Sequence, residues 1–267
     1  MSHYLDRILS DVSKDLEQRR QRRSIDWLIE GSQNHKPPID PMPAFRSSAL
    51  SVIAEVKRCS PSAHDLASIE RPDELALSYV GGGAAAVSVL TERSHFKGSL
   101  DDLDLVRMRI DHPILRKDFI IDEYQIYENR YHRSDITLLI LSCLDDRQLR
   151  RFHQLNTDLG MTTLAEVHDL DEAKRAVDAG IELIGINNRN LDDLSVDLSR
   201  CESIIDAIPS DHIVVAESGI VTIRDALRMA QAGVDAILVG SALVQETNPG
   251  AMIQAMIGIS HGSMRKR

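Results

Sequence analysis

The feature that most constrains the fold of this 267-residue chain is a repeated phrase, a glycine followed at once by an apolar run of strand length. It occurs at residues 83–90, 180–187 and 233–240. In each copy the glycine suits the position that ends a helix, and the apolar run suits a buried parallel strand. Three copies of one phrase indicate that the same structural unit is built three times.

Apolar runs and helical segments alternate along the chain from Ser51 onward. The predicted strands are 51–57, 84–89, 113–116, 135–141, 162–167, 181–187, 212–216 and 234–239. The predicted helices include 71–81, 123–132, 145–158, 169–179, 199–207 and 222–232, and capping-box spacing marks two starts, Ser199 to Glu202 and Thr222 to Asp225. Eight strands alternating with helices predict a (β/α)8 TIM barrel. A doubly wound sheet would offer a glycine-rich turn after its first strand, whereas Gly81-Gly82-Gly83 precedes one.

The segment before the barrel has a different pattern. Apolar residues at helical spacing predict one helix over residues 3–30, and four arginines between residues 19 and 23 suit its solvated face. Four prolines between residues 37 and 43 predict a stiff, non-helical connector. We therefore predict a helical extension at 1–48 packed on a barrel at 49–258, with a basic tail at 259–267.

Composition excludes several classes of function. The net charge of −10 argues against nucleic acid as a partner, because such binders usually carry a basic face. Three widely spaced cysteines form no CxxC pair, and the histidines show no metal-binding spacing, so we expect no metal and no disulfide framework. No apolar run reaches membrane-spanning length and no signal peptide is evident, which leads us to expect a cytoplasmic protein.

The first predicted strand ends in two opposite charges. Side chains alternate along a strand, so Glu55 and Lys57 should point to the same side. A polar turn, Ser60-Pro61-Ser62, follows. Burying two charges is costly, so this pair is either a structural salt bridge or part of a site.

Polar residues end the other strands as well. In a (β/α)8 barrel the active site forms at these carboxyl ends. Lys117 could be partly desolvated there, which would favour its neutral form. Glu166 is a plausible general base that neighbouring lysines would keep ionised, while His168 suits the start of the next helix. Asn187 and Arg189 supply donors for carboxylate or hydroxyl oxygens.

Two glycine–serine turns follow the last two strands. Ser218-Gly219 and Gly240-Ser241 occupy loops that commonly bind phosphate through backbone N–H groups and a short helix N-terminus. Glycine permits close approach of the backbone, and serine adds a hydroxyl donor. The sequence therefore predicts a phosphorylated small-molecule ligand.

The motifs IAEVKRCSPS, LRKDF, LAEVH, IGINNRNL, VAESGI and LVGSAL together resemble indole-3-glycerol-phosphate synthase, a family of tryptophan biosynthesis. The resemblance runs from about residue 4 to 258 and implies a barrel with added amino-terminal helices and no cofactor. It also implies closure of the pyrrole ring of 1-(2-carboxyphenylamino)-1-deoxyribulose 5-phosphate, with release of carbon dioxide and water. Other enzymes of that pathway are its candidate protein partners.

The resemblance also implies roles for the residues at the strand ends. Lys117 would be the acid for the ketone oxygen and Glu166 the base, with Glu55 and Lys57 polarising the reacting part. Asn187 and Arg189 would hold substrate oxygens. The phosphate and loop contacts would come from Ser60, Ser218, Gly219, Gly240 and Ser241.

One departure and two rival functions stand beside this interpretation. The family usually continues the SPS turn with Lys-Gly, whereas Ala63-His64 follows here. A rival enzyme would be another phosphate-binding barrel such as phosphoribosylanthranilate isomerase, which would not predict two lysines beside two glutamates. A rival of another class is a non-catalytic phosphometabolite-binding protein, which would tolerate loss of Lys117.

Overall fold

Eight parallel strands pair in chain order and close on themselves in the computed structural model, which describes residues 3–59, 66, 68–191 and 193–260. The strands are β1 (Ser51–Val56), β2 (Ala86–Leu90), β3 (Ile114–Lys117), β4 (Ile136–Ile140), β5 (Thr162–Val167), β6 (Leu183–Asn187), β7 (Ile213–Glu217) and β8 (Ala236–Val239). β8 pairs with β1, with Ser51 opposite Ala236. The predicted (β/α)8 barrel is confirmed, and each predicted strand lies within two residues of its observed bounds.

Helices follow the strands on the outside of the barrel. Before β1 come α1 (His3–Arg22), α2 (Ile25–Ser32) and α3 (Met42–Phe45). The others are α4 (Pro72–Gly81), α5 (Leu100–Arg109), α6 (Glu123–Tyr131), α7 (Asp146–Asp158), α8 (Leu170–Asp178), α9 (Ser199–Ile204), α10 (Ile223–Ala232), α11 (Ser241–Gln245) and α12 (Pro249–Ile257). Two 3-10 turns, Leu141–Cys143 and Ile205–Ala207, complete the set in the described part of the chain.

The repeated glycines have the backbone conformation that the sequence predicts. Gly83, Gly180 and Gly233 follow helices and have φ angles of 91°, 77° and 97°. Side chains other than glycine rarely adopt this left-handed region, so each glycine lets the chain leave a helix and enter the next strand. The three copies of the phrase are therefore three copies of one turn.

The predicted helix starts are right at one position and wrong at the other. Thr222 caps α10, and its side chain and that of Asp225 form the reciprocal bonds of a capping box. At the second position Leu198 precedes the helix, while the hydroxyl of Ser199 donates to Asp197 at 2.6 Å. The Ser199 hydroxyl, which the capping-box spacing predicts to cap the helix, is therefore bonded to a neighbouring carboxylate instead.

The single helix predicted over residues 3–30 is wrong, because Ser24 adopts an extended conformation and caps α2. Its side chain accepts from the backbone N–H of Trp27 at 3.1 Å. The connector is also not wholly non-helical, because Pro43 lies in the first turn of α3, where its missing N–H costs nothing. Nor is Arg19 solvated, since it pairs with the buried Glu128.

The extension packs against both ends of the barrel. Leu5, Ile8 and Val12 of α1 join the apolar cluster of the barrel interior, which includes Leu138 and Leu238. Phe45 of α3 joins the same cluster from the amino end, where Ser51 bonds the carbonyl of Ala44 at 2.9 Å. Burying these apolar faces is what holds a short helical extension in place.

The amino end of the barrel carries an acidic residue in the equivalent position before two strands. Asp135, before β4, accepts from the backbone N–H of Ile114, and Asp235, before β8, accepts from that of Val214. Asp135 also accepts from Ile39 at 2.7 Å and from Arg107 at 2.7 Å. This one buried carboxylate thus joins the connector, α5 and β3.

We expect Asp135→Ala to lower the free energy of unfolding by about 3 kcal/mol, because it removes the carboxylate that pairs with the buried Arg107. Urea unfolding followed by circular dichroism measures the change. The control is Asp171→Ala, at a side chain that is 90% exposed. Equal unfolding midpoints for the two variants would contradict this role for Asp135.

Candidate active site

A cavity of about 520 Å³ opens at the carboxyl ends of the strands. It is lined by the described residues that the sequence selects, namely Glu55, Lys57, Lys117, Glu166, Asn187, Arg189, Ser218, Gly219, Gly240 and Ser241. Ser60 and the divergent Ala63-His64 lie outside the described residues. The barrel therefore brings side chains from six strands, far apart in sequence, into one site.

Lys117 lies at the centre of this site. Its Nζ is 2.7 Å from Oε2 of Glu166 and 3.3 Å from Oε2 of Glu217. Burial lowers the pKa of Lys117, but the charges of Glu166, Glu217 and Glu55 outweigh burial and raise it. The expectation that burial would favour a neutral amine is wrong here, because the neighbouring glutamates, Glu166 first, outweigh burial and hold the group as an ammonium that can donate a proton.

Glu166 is held ionised despite being buried. Burial raises its pKa, but Lys117 and His168 outweigh that effect and lower it below its ordinary value. Asn187 Nδ2 donates to Oε1 of Glu166 at 2.9 Å. The sequence-based expectation that a lysine keeps this carboxylate charged is confirmed.

Glu217, the last residue of β7, is a site residue that the sequence analysis did not select. It is 1% exposed, and its Oε1 has no hydrogen-bond partner in the part of the chain that the structure describes. Burial raises its pKa to about 8, with a further contribution from Glu166 that Lys117 only partly offsets. It stands directly before Ser218 at a strand end, which is the signal that could have identified it.

Glu55 and Lys57 form the ion pair that the strand period predicts, with Lys57 Nζ 2.6 Å from Glu55 Oε2. Glu55 is buried and Lys57 is partly exposed towards the cavity. A side chain at position 240 would collide with the Glu55 carboxylate, so glycine is required there for space. Gly240 thus positions Glu55 as well as leading into α11.

Asn187 and Arg189 have contacts within the protein as well as a place on the cavity wall. Oδ1 of Asn187 accepts from the backbone N–H of Arg189 at 3.0 Å. The guanidinium of Arg189 donates to the carbonyl of Leu194 at 2.8 Å, and burial lowers its pKa. Asn187 therefore orients Glu166, while Arg189 holds the loop after β6 against the cavity.

The two predicted phosphate loops adopt distinct turns. Ser218 and Gly219 have φ angles of 63° and 82°, and a left-handed serine is an unfavourable conformation that its surroundings must maintain. The carbonyl of Ser218 accepts from Asn188 Nδ2 at 3.2 Å. Gly240 is followed at once by α11, the short helix expected after the last strand.

One wall of the cavity is apolar. It is built by Leu5 and Ile8 of α1 together with Phe96, Phe119 and Leu191. Polar groups at the strand ends and an apolar wall facing them suit a ligand with an aromatic part and a charged part. Among the residues that the structure describes, no group of three or more His, Cys, Asp or Glu could hold a metal ion. No helix in the described part of the chain is long and apolar enough to cross a membrane.

Comparison with known proteins identifies the family. Residues 5–256 match the family described as indole-3-glycerol phosphate synthase. The chain belongs to this family. A member from Nocardioides sp. is 48% identical over 255 residues, covering 96% of this chain and 98% of that protein. A member from Streptomyces coelicolor is 44% identical, covering 98% of this chain and 97% of that protein.

Solved structures of low sequence identity share the fold. A 3-hexulose-6-phosphate synthase has a TM-score of 0.62 at 14% identity, covering 79% of this chain and 98% of that one. An N-acetylmannosamine-6-phosphate 2-epimerase from Clostridium perfringens has a TM-score of 0.59 at 15% identity, covering 74% and 90%. These likenesses show that this family member shares its barrel fold with other enzymes.

Glu217→Gln is expected to stabilise the protein more at pH 8 than at pH 5. The native pKa of Glu217 lies above the ordinary value of 4.5, so wild-type stability falls as pH rises through this interval, whereas glutamine does not titrate. Urea unfolding should show that the variant's free energy of unfolding exceeds that of wild type by at least about 1 kcal/mol at pH 8 and by little at pH 5.

Glu182→Gln is the matched control, because that glutamate is 62% exposed in its pair with Arg46. If Glu217→Gln raised the free energy of unfolding by the same amount at both pH values, the Glu217 carboxyl group would titrate normally.

Proposed function

We propose that this protein closes the pyrrole ring of 1-(2-carboxyphenylamino)-1-deoxyribulose 5-phosphate to give indole-3-glycerol phosphate. The observation that carries the proposal is the contact between Lys117 and Glu166, an ammonium and a carboxylate 2.7 Å apart in the cavity. Such a pair can supply one proton and accept another within a single bound substrate. Family membership supports the same reaction.

Ring closure begins when the aromatic carbon that bears the carboxylate attacks the ketone carbon. Lys117 donates its proton to the ketone oxygen as the new bond forms. The carboxylate then leaves as carbon dioxide, and its bonding electrons restore the aromatic ring. Orientation is the main requirement of this step, because the ring and the ketone must meet within one folded substrate.

Loss of water completes the indole. The hydroxyl made from the ketone oxygen departs with a proton, and Glu166 takes a proton from the neighbouring ring carbon. Glu55 and Lys57 lie at the same rim and polarise the departing group, with Lys57 able to donate. Glu217 carries its proton at neutral pH and is therefore a hydrogen-bond donor to a substrate oxygen.

The remaining groups orient the substrate. The apolar wall suits the aromatic ring, and the loops at Ser218-Gly219 and Gly240-Ser241 suit the phosphate. Asn187 and Arg189 also line the cavity, and their side-chain N–H groups are suited to substrate oxygens. This arrangement supports a phosphorylated small molecule as the partner and needs no cofactor.

Two rival functions make different predictions. A sugar isomerase such as phosphoribosylanthranilate isomerase has no use for a second ion pair beside the first, whereas Lys57–Glu55 stands beside Lys117–Glu166. A non-catalytic binding protein would tolerate loss of Lys117. Arginines of α1 pair within the chain, Arg19 with Glu128 and Arg20 with Asp122, which supports the absence of a nucleic-acid partner.

The family's place in tryptophan biosynthesis supports a cytoplasmic location, and it suggests other enzymes of that pathway as protein partners. We include both as parts of the proposal.

Lys117→Met is expected to lower kcat by about a thousandfold, because it removes the acid while keeping the length of the side chain. Purified protein is incubated with the carboxyphenylamino-deoxyribulose phosphate, and the fluorescence of the indole product is followed. Lys174→Met is the control, at a lysine of α8 that is 64% exposed. An inactive wild type, or a Lys117→Met variant as active as the control, would refute the proposed function.

A further inference from the structure

His168 directly follows β5 and comes two residues after Glu166. It does not line the cavity. Its Nε2 is 3.4 Å from Oε1 of Glu166, and its Nδ1 is 3.1 Å from Oε2 of Glu172. Nε2 is buried, and among the described residues it has no hydrogen-bond partner other than this long approach to Glu166. The imidazole therefore bridges a carboxylate of the active site and a carboxylate of α8.

Glu172 fixes this arrangement in two ways. Its Oε2 accepts from the backbone N–H of His168 at 2.8 Å as well as facing the ring. Asp169 caps α8 separately, accepting from the backbone N–H of Glu172 at 2.8 Å. The helix start that the sequence predicts is thus provided by Asp169, which leaves the His168 ring available for another role.

The titratable groups around His168 and Glu166 come from β1, β3, β7, α8 and the turn after β4. Lys117 of β3 pairs with Glu166, and Glu217 of β7 and Glu55 of β1 act on Lys117. Cys143, after β4, lies near Glu166 and Glu172, and burial raises the pKa of its thiol to about 12, so it stays neutral. Burial lowers the pKa of His168, but its contacts with Glu166 and Glu172 outweigh burial and raise it to about 9.

We propose that His168 is a positioning residue for the reaction, a charged imidazolium that holds the Glu166 carboxylate in place and ionised from behind the cavity. Glu172 in turn holds the imidazolium. This inference rests on the proposed function, because it assigns His168 a role through the base of that reaction. The reacting atoms are never in contact with His168.

The arrangement gives Glu166 two positive neighbours on different sides. Lys117 must give up its proton during ring closure, and at that moment its charge no longer supports the carboxylate. The imidazolium of His168, on the other side of Glu166, still supports the carboxylate. Glu166 therefore remains a charged base while Lys117 is neutral, which a single lysine could not ensure.

His168→Gln tests the charge while keeping a donor of similar reach. We expect kcat to fall on the order of tenfold with KM nearly unchanged, because the base is misplaced and less ionised while substrate contacts remain. The acid limb of the kcat–pH profile should move to higher pH, since losing a positive neighbour raises the pKa of Glu166. Glu172→Gln keeps an acceptor for the backbone N–H and should move the alkaline limb to lower pH.

The matched control is His153→Gln. His153 also bonds a residue of β5, with Nδ1 3.0 Å from Oγ1 of Thr163, but far from the cavity. A His168→Gln profile that overlays that of His153→Gln, with active wild type, would overturn the inference and leave the proposed function intact.

A second measurement does not depend on turnover. Titration of ¹⁵N-labelled imidazoles by nuclear magnetic resonance, with His168 assigned from the His168→Gln spectrum, should show it protonated through neutral pH. The midpoint should fall in Glu172→Gln. A wild-type midpoint at the ordinary value of 6.5 would overturn the inference even if the enzyme were inactive.

Discussion

The charge balance among Glu55, Glu166, Glu217, Lys57 and Lys117 is the constraint on which the active site depends. These side chains project into a barrel whose strands are mostly apolar, and an unpaired charge there is costly. Lys117 contacts two of the carboxylates, while Lys57 pairs with the third. Burial, with Glu166 nearby, raises the pKa of the remaining carboxyl group, Glu217, to about 8, so this group favours its neutral form.

Strand register turns this balance into a fixed geometry. Glu166 stands opposite Gly185 on the neighbouring strand, and Asn187 stands opposite Glu217. A side chain at position 185 would collide with the Glu217 carboxylate, just as one at 240 would collide with Glu55. Each large charged group thus occupies space that a glycine leaves open, and a one-residue slip would remove both the room and the partner.

Sequence periodicity was sufficient to predict the strands and the residues at their ends. The reason is that side-chain direction along a strand follows from position alone. Periodicity was insufficient to predict the protonation of Lys117, because that depends on three glutamates from other strands. The same limit applies to Glu217 and His168. Their roles depend on neighbours that only the closed barrel brings together.

The extension and Lys117 are connected through the outer face of β3. Arg116 precedes Lys117 and points the other way, fully buried, where it donates to Asp118 at 2.8 Å and Glu128 at 2.9 Å. Arg19 of α1 also donates a hydrogen bond to Glu128. Because α1 supplies part of the apolar cavity wall, one buried network fixes both the wall and the strand end that carries the acid.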